Sequence, residues 1–199
     1  MNITKYTLVS LIALMVCACG GNTSVHEGIT GNVTMDGYEG KQVYLETTAS
    51  TPVKVDSATV TDGKFSFTFS DAQPQVYNLV LAASATDEYA ITLPVVSEKG
   101  HIRVSMGELV LTSGTPLNDS LQDFLLAVSN FTDKAMKQEK PDMNQIKADF
   151  SKLVEGAVMQ NINTPVGAYI YRTYGDRLTD EQKALIMNRA DESFKETLK

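Results

Sequence analysis

The residues of this chain that could do chemistry are few and scattered. His26 lies near the N-terminal end, and His101 follows a glycine at the head of an alternating run. Neither belongs to a helical histidine pair or to another metal-ligand spacing. Both are expected as structural or solvated side chains, and no metal or cofactor is expected. Asp56 sits in an alternating run whose register would turn it towards a core. A carboxylate held there could be a general base with a shifted pKa. Its commoner role is to accept backbone N–H groups at a strand end, and that role is expected here. Asp87 and Glu88 are adjacent acids in a predicted loop, where solvated charges are the expectation. Tyr169, Tyr171 and Tyr174 could stack a sugar, but within an apolar helical stretch they are expected as packing aromatics. There is no Gly-x-Ser-x-Gly nucleophile elbow and no phosphate-binding glycine loop. No catalytic residue is assigned, and the chain is not expected to be an enzyme.

The two cysteines carry a different chemistry. Lys5 and the apolar run from Thr7 to Val16 have the layout of a secretory signal. The run is too short to span a bilayer, which takes about 20 residues. It ends in Val16-Cys17-Ala18-Cys19, which resembles a bacterial lipobox. Cys19 fits as the lipidated residue, with aliphatic Val16 three places before it and small Ala18 just before it. Cys17 ranks second, because it would put bulky Val16 beside the cleaved bond. Residues 1–18 are therefore expected as a lipoprotein signal peptide and 19–27 as a lipidated tether containing Gly20, Gly21, Asn22, Thr23 and Ser24. Two or more acyl chains, palmitate among them, anchor a protein to a membrane surface without spanning it. Gly20 in place of an aspartate follows bacterial sorting rules for the outer membrane. No acidic run follows the cysteine, so a periplasm-facing protein is expected. With Cys17 removed and Cys19 alkylated, the folded part has no thiol for a disulfide, a redox pair, a nucleophile or a metal site. The net charge of −7 leaves no electrostatic footprint for nucleic acid.

The elements that would carry these residues fall into two blocks. Val53–Ser70 reads as a hairpin, with Asp62-Gly63 as a type I′ turn between two alternating runs. That register would set Val60 opposite Phe65, Ala58 opposite Phe67, Asp56 opposite Phe69 and Ser57 opposite Thr68. All of the first six would face the core. Further runs at Ile29–Val33, Gln42–Glu46, Val76–Leu81, Glu88–Val96, His101–Ser105 and Leu109–Thr112 bring the count to about eight strands. Short strands with frequent turns argue for an antiparallel β-sandwich over 28–114. Pro94 late in its strand suggests an edge position or a break. From Thr115 the apolar period becomes helical. Thr115-Pro116, Asp142 with Gln145, Thr164-Pro165, and Thr179 with Gln182 read as four helix starts. The fold class is thus α+β, with about four helices over 115–199.

Four stretches together resemble a known family. They are Val55-Asp56-Ser57-Ala58, the Asp62-Gly63-Lys64-Phe65 turn, the Pro74–Leu81 strand and the Gly114-Thr115-Pro116-Leu117-Asn118 exit into a helix. They look like domain of unknown function 4369, found in lipoproteins of Bacteroides-type bacteria. The resemblance covers roughly residues 25–125, and Asn163 to Tyr174 is similar to the helical stretch that often follows. In many relatives this unit precedes a thioredoxin-like domain, which implies an envelope thiol oxidoreductase. The chain ends at Lys199, about where such a domain would begin, so this protein is expected to lack it. In addition, Asp56-Ser57-Ala58 and Asp119-Ser120-Leu121 match a short O-glycosylation pattern attributed to Bacteroides-type envelope proteins. Ser57, on a polar strand face, is the preferred candidate; Ser120, beside a buried stripe, ranks lower.

The expected function is a non-enzymatic binding or interaction module anchored to the envelope membrane by its lipid, with an envelope protein as candidate partner. An accessory acting in trans on a thioredoxin-like oxidoreductase, or a glycan- or peptide-binding lipoprotein, are the alternatives.

Overall fold

A computed structural model of the chain describes residues 27–69, 73–83 and 89–198. The strands are β1 (Gly28–Val33), β2 (Gln42–Thr47), β3 (Lys54–Thr59), β4 (Lys64–Thr68), β5 (Val76–Leu81), β6 (Ile91–Val96), β7 (His101–Met106) and β8 (Val110–Ser113). The helices are α1 (Pro116–Met136), α2 (Met143–Gln160), α3 (Pro165–Tyr174), α4 (Asp180–Arg189) and α5 (Glu192–Thr197), with one 3₁₀ turn at Gly175–Arg177. The fold is α+β. Its strands form two four-stranded sheets, ordered β4-β1-β7-β8 and β3-β2-β5-β6. The second sheet is antiparallel throughout; in the first, β1 runs parallel to β7, so the sandwich is mixed rather than purely antiparallel.

The expected hairpin is not a hairpin. Asp62 and Gly63 do have φ of 51° and 68°, as a type I′ turn requires. Thr61 and Lys64 exchange both backbone hydrogen bonds across it, at 2.9 and 3.0 Å. Pairing then stops, because the chain changes sheets. β3 joins β2, placing Ser57 opposite Tyr44, Ala58 opposite Val43 and Asp56 opposite Leu45. β4 joins β1, placing Phe67 opposite Ile29, Phe65 opposite Gly31 and Thr68 opposite Gly28. Three contacts hold the crossover. Both carboxylate oxygens of Glu39 accept from the turn amides, Asp62 N at 3.1 Å and Gly63 N at 3.2 Å. Val60 N donates to Lys41 O at 2.9 Å, committing that residue to the β2 side. Gly31 leaves its face bare, and a Cβ there would overlap the Phe65 ring.

Most of the expected core survives the change of partner. Val60, Phe65 and Phe67 are buried, and Phe69 and Ala58 are half-buried against the same cluster. Asp56 is exposed, because it lies on β3, an edge strand. That edge carries a β-bulge opposite Leu45/Glu46, a device that blunts an edge against further pairing. Pro94 is on β6, the other edge of the same sheet, where a missing N–H costs no ladder bond.

Two hydrophobic clusters organise the chain. One fills the sandwich with Ile29, Val43, Leu79, Leu81, Val95, Ile102 and Met106, among others. The second gathers the helices around Leu121, Phe124, Val154, Val158, Ile170 and Ile186. It also takes in Val76 of β5 and Val96 of β6. Residues alternate across a strand. Leu79 and Leu81 of β5 point into the sandwich while Val76 faces the helices. Likewise Leu93 and Val95 of β6 point in while Val96 faces out. Half-buried Leu125 touches both clusters.

The helix starts follow the expected residues with two differences. Asp142 accepts from Asn144 N and Gln145 N, and Thr164 accepts from Gly167 N. Thr179 and Gln182 form a full capping box. Thr115 occupies the N-cap position of α1 but its side chain caps nothing. Glu98 caps instead, its Oε1 accepting from Leu117 N at 2.8 Å and Asn118 N at 3.0 Å. The last expected helix is two: Ala190 is extended (ψ 137°) and Asp191 restarts the helix by accepting from Phe194 N at 2.7 Å. Ile186, Ala190 and Phe194 remain together in the helical cluster.

Candidate functional site

Several candidate residues lie outside the described residues: Cys17, Cys19, His26, Asp87 and Glu88. The others are placed apart from one another. His101 opens β7, and its Nε2 is 3.0 Å from Thr30 Oγ1 on the parallel neighbour. Among the described residues no group of histidines and carboxylates could hold a metal ion. Asp56 does accept a backbone N–H, that of Ser57 at 2.7 Å, but on an exposed edge and not in a core. Ser57 is exposed on the outer face of its sheet. Its cross-strand neighbour Tyr44 has Lys54 Nζ 3.4 Å above the ring, a cation–π contact. Ser120 is half-buried and donates to Asn161 Oδ1 at 2.7 Å, so its hydroxyl is engaged within the fold.

The three tyrosines pack against the helical cluster. Tyr174 meets Phe124 edge-on at 5.3 Å and Phe150 at 6.0 Å, and Phe150 meets Phe131 at 5.2 Å. Burial raises the phenol pKa of all three above the ordinary tyrosine value; at Tyr169 the nearby Tyr174 adds to it. The cause is loss of water around a group that would become charged. These rings are helix-packing aromatics, not an open stacking platform.

A recess lies elsewhere, at the seam between the β3-β2-β5-β6 sheet and the helices. Its volume is about 720 Å³, within the range of small-molecule clefts. The sheet side comes from Thr47, the last residue of β2, with Thr48 and Ala49 after it, and from Gln73 to Val76 leading into β5. The helical side comes from the start of α3 and from Ser193, Phe194 and Thr197 of α5. Pro165, Ala168 and Arg172 share one face of α3 by their spacing of three and four, and all three line the recess. Asn163, at the lip, has φ 62°, a left-handed conformation that asparagine tolerates better than most residues. Its Oδ1 accepts from Asp191 N at 2.9 Å, tying the start of α3 to the start of α5.

The lining is mixed. Ala49, Pro74, Val76, Pro165, Ala168 and Phe194 are apolar; the rest are hydroxyls, amides and one cation, Arg172, with no carboxylate among the described residues. Sequence reasoning missed this recess. Asn163-Thr164-Pro165 marks the turn and helix start that shape one wall, but the opposite wall comes from residues more than eighty positions earlier.

Comparison with known proteins gives one match. Residues 28–121 match the family model described as "Domain of unknown function (DUF4369)". The matched stretch runs from the start of β1 into the second turn of α1. No curated protein and no solved structure matches the chain.

Proposed function

We propose that this chain is an envelope lipoprotein whose folded part is a non-enzymatic binding module, and that its ligand sits in the seam cleft. In this reading the lipid on Cys19 anchors the protein to the outer membrane, facing the periplasm, and residues up to Glu27 form the tether. Among the described residues no helix is long and apolar enough to cross a membrane, and a lipid anchor needs none.

The observation that carries the binding reading is the composition of the cleft. A wall of apolar side chains with a few hydroxyls, amides and a cation is the usual make-up of a small-molecule site. Val76, Ala168 and Phe194 of its lining belong to the helical cluster, and its walls belong to separate elements. A polar oligosaccharide or a short peptide fits such a lining.

The test is retention of small molecules from an extract of the host envelope, by equilibrium dialysis and mass spectrometry. Ser193 is exposed and lines the cleft, so Ser193→Trp fills the space without touching a core. The wild type should retain a component that the variant loses. Equal retention by both would place any binding outside the cleft, and no retention by either would remove the reading.

A further inference from the structure

We infer that the seam cleft recognises a carboxylate, held by the guanidinium of Arg172; this rests on the cleft being the binding site. The chain has 24 acidic and 17 basic residues besides histidine, so cations have no shortage of partners. Two nearby cations have found them, whereas Lys183 has no ion pair among the described residues. Arg177 pairs with Asp176 at 3.4 Å, and Lys195 with Glu192 at 2.8 Å. Among the described residues Arg172 has no ion pair or hydrogen bond, and it is the only charged side chain of those that line the cleft. It also borders a smaller recess of about 380 Å³, whose one lining carboxylate among the described residues, Asp176, is the partner of Arg177.

The chemistry of that arrangement is selective. A guanidinium offers a planar fork that takes a carboxylate with two parallel hydrogen bonds. One cation matches one monoanion, and no acid among the described lining residues competes for it. A dianion would call for further cations, which the larger recess does not provide. Around the fork, Thr48, Ser193, Gln75 and Asn163 can hydrogen-bond the polar remainder of a ligand, while Val76 and Phe194 take its apolar parts. Two sources present this chemistry: an acidic sugar, and the free C-terminus of a peptide. Because Arg172 is exposed, its contribution is screened by salt.

The test uses the folded chain with four probes: D-glucuronate and D-glucose, and acetyl-trialanine as its free acid and as its amide. Binding is followed by NMR shifts of Arg172 Nε–H and of the Thr48 and Ser193 amides. Either acid should shift all three at millimolar concentration while its neutral counterpart does not. Arg172→Gln should weaken that acid by about tenfold or more, and Arg172→Lys by less. Which acid responds identifies the source. Arg172→Gln should leave melting unchanged, because the side chain has no internal partner. If acid and neutral probes bind equally, in wild type and Arg172→Gln alike, the carboxylate inference fails while the cleft reading stands. If no probe shifts a cleft residue, the inference fails, and dialysis with the Ser193→Trp variant decides the cleft reading by itself.

Discussion

The side chain of Asn118 in α1 pairs with both backbone groups of Val96 in β6. Its Oδ1 accepts from Val96 N and its Nδ2 donates to Val96 O, each at 2.9 Å. The pair imitates one rung of a β-ladder. One turn further along α1, Gln122 Oε1 accepts from Thr112 N of β8 at 2.7 Å. β6 and β8 are edge strands of different sheets. α1 therefore closes one open side of the sandwich with two amide side chains spaced i, i+4, while its apolar residues build the helical cluster. Such edges otherwise present unpaired backbone groups.

Asn118→Leu should destabilise the fold by about 1–3 kcal/mol, the cost of a stranded buried N–H; Val96 O keeps Glu98 N as a donor at 3.0 Å. Urea unfolding followed by circular dichroism measures it. A loss within error of zero would mean that Val96 finds other partners and the clamp is incidental.

Phe67→Ala should cost about 3–5 kcal/mol, as for other buried phenylalanines. Phe67 is 3% exposed and lies opposite Ile29. Backbone NOEs check the pairing separately. They should join Phe67 to Ile29 and Asp56 to Leu45. A strong Phe67–Ala58 backbone contact would restore the simple hairpin.

That contrast shows how far the sequence was readable. The strands and helices were legible because period 2 and period 3.6 are local properties. The Asp62-Gly63 turn was legible for the same reason. Its consequence was not, since a type I′ turn opens a hairpin or a change of sheet with equal ease. Glu39, Lys41 and Gly31 decide between them, from 20 or more positions away. Asn118 carried a usable signal: a polar residue between Leu117 and Leu121 at the mouth of a buried stripe. The seam cleft carried almost none, because its lining is drawn from β2, β5, α3 and α5. Arg172 becomes notable only when the other described residues that line the cleft are seen to be uncharged.

The raised phenol pKa values at Tyr169, Tyr171 and Tyr174 predict an alkaline limit. A group whose folded pKa exceeds its unfolded value stabilises the fold fully below the unfolded pKa. That stability is lost as pH rises through the folded value. The fold should therefore keep this contribution up to about pH 10, the unfolded tyrosine value, and lose it above. Spectrophotometric titration should show these three phenols ionising above the ordinary tyrosine value. Their ionisation at the ordinary value would contradict the burial of these rings.

Two covalent modifications belong to the proposal and are checked on protein from its native host. Cys19→Ser should move the protein from the membrane pellet to the soluble periplasmic fraction; retention in the pellet, with release by Cys17→Ser, would reassign the anchor. Intact mass should show sugar on the peptide containing Ser57, which is exposed on the outer sheet face, and none at Ser120, whose hydroxyl is bonded to Asn161. A mass equal to sequence plus lipid would remove the glycan.

The central claim is that the seam cleft is where this protein binds, and hydrogen–deuterium exchange in the presence of host envelope extract tests it most directly. The account predicts slower exchange in residues 47–49, 163–168 and 193–197, with little change along β7 and β8, and loss of that protection in Ser193→Trp. Protection confined to other surfaces, such as the outer sheet face around Tyr44 and Ser57, or protection that survives Ser193→Trp unchanged, would contradict it.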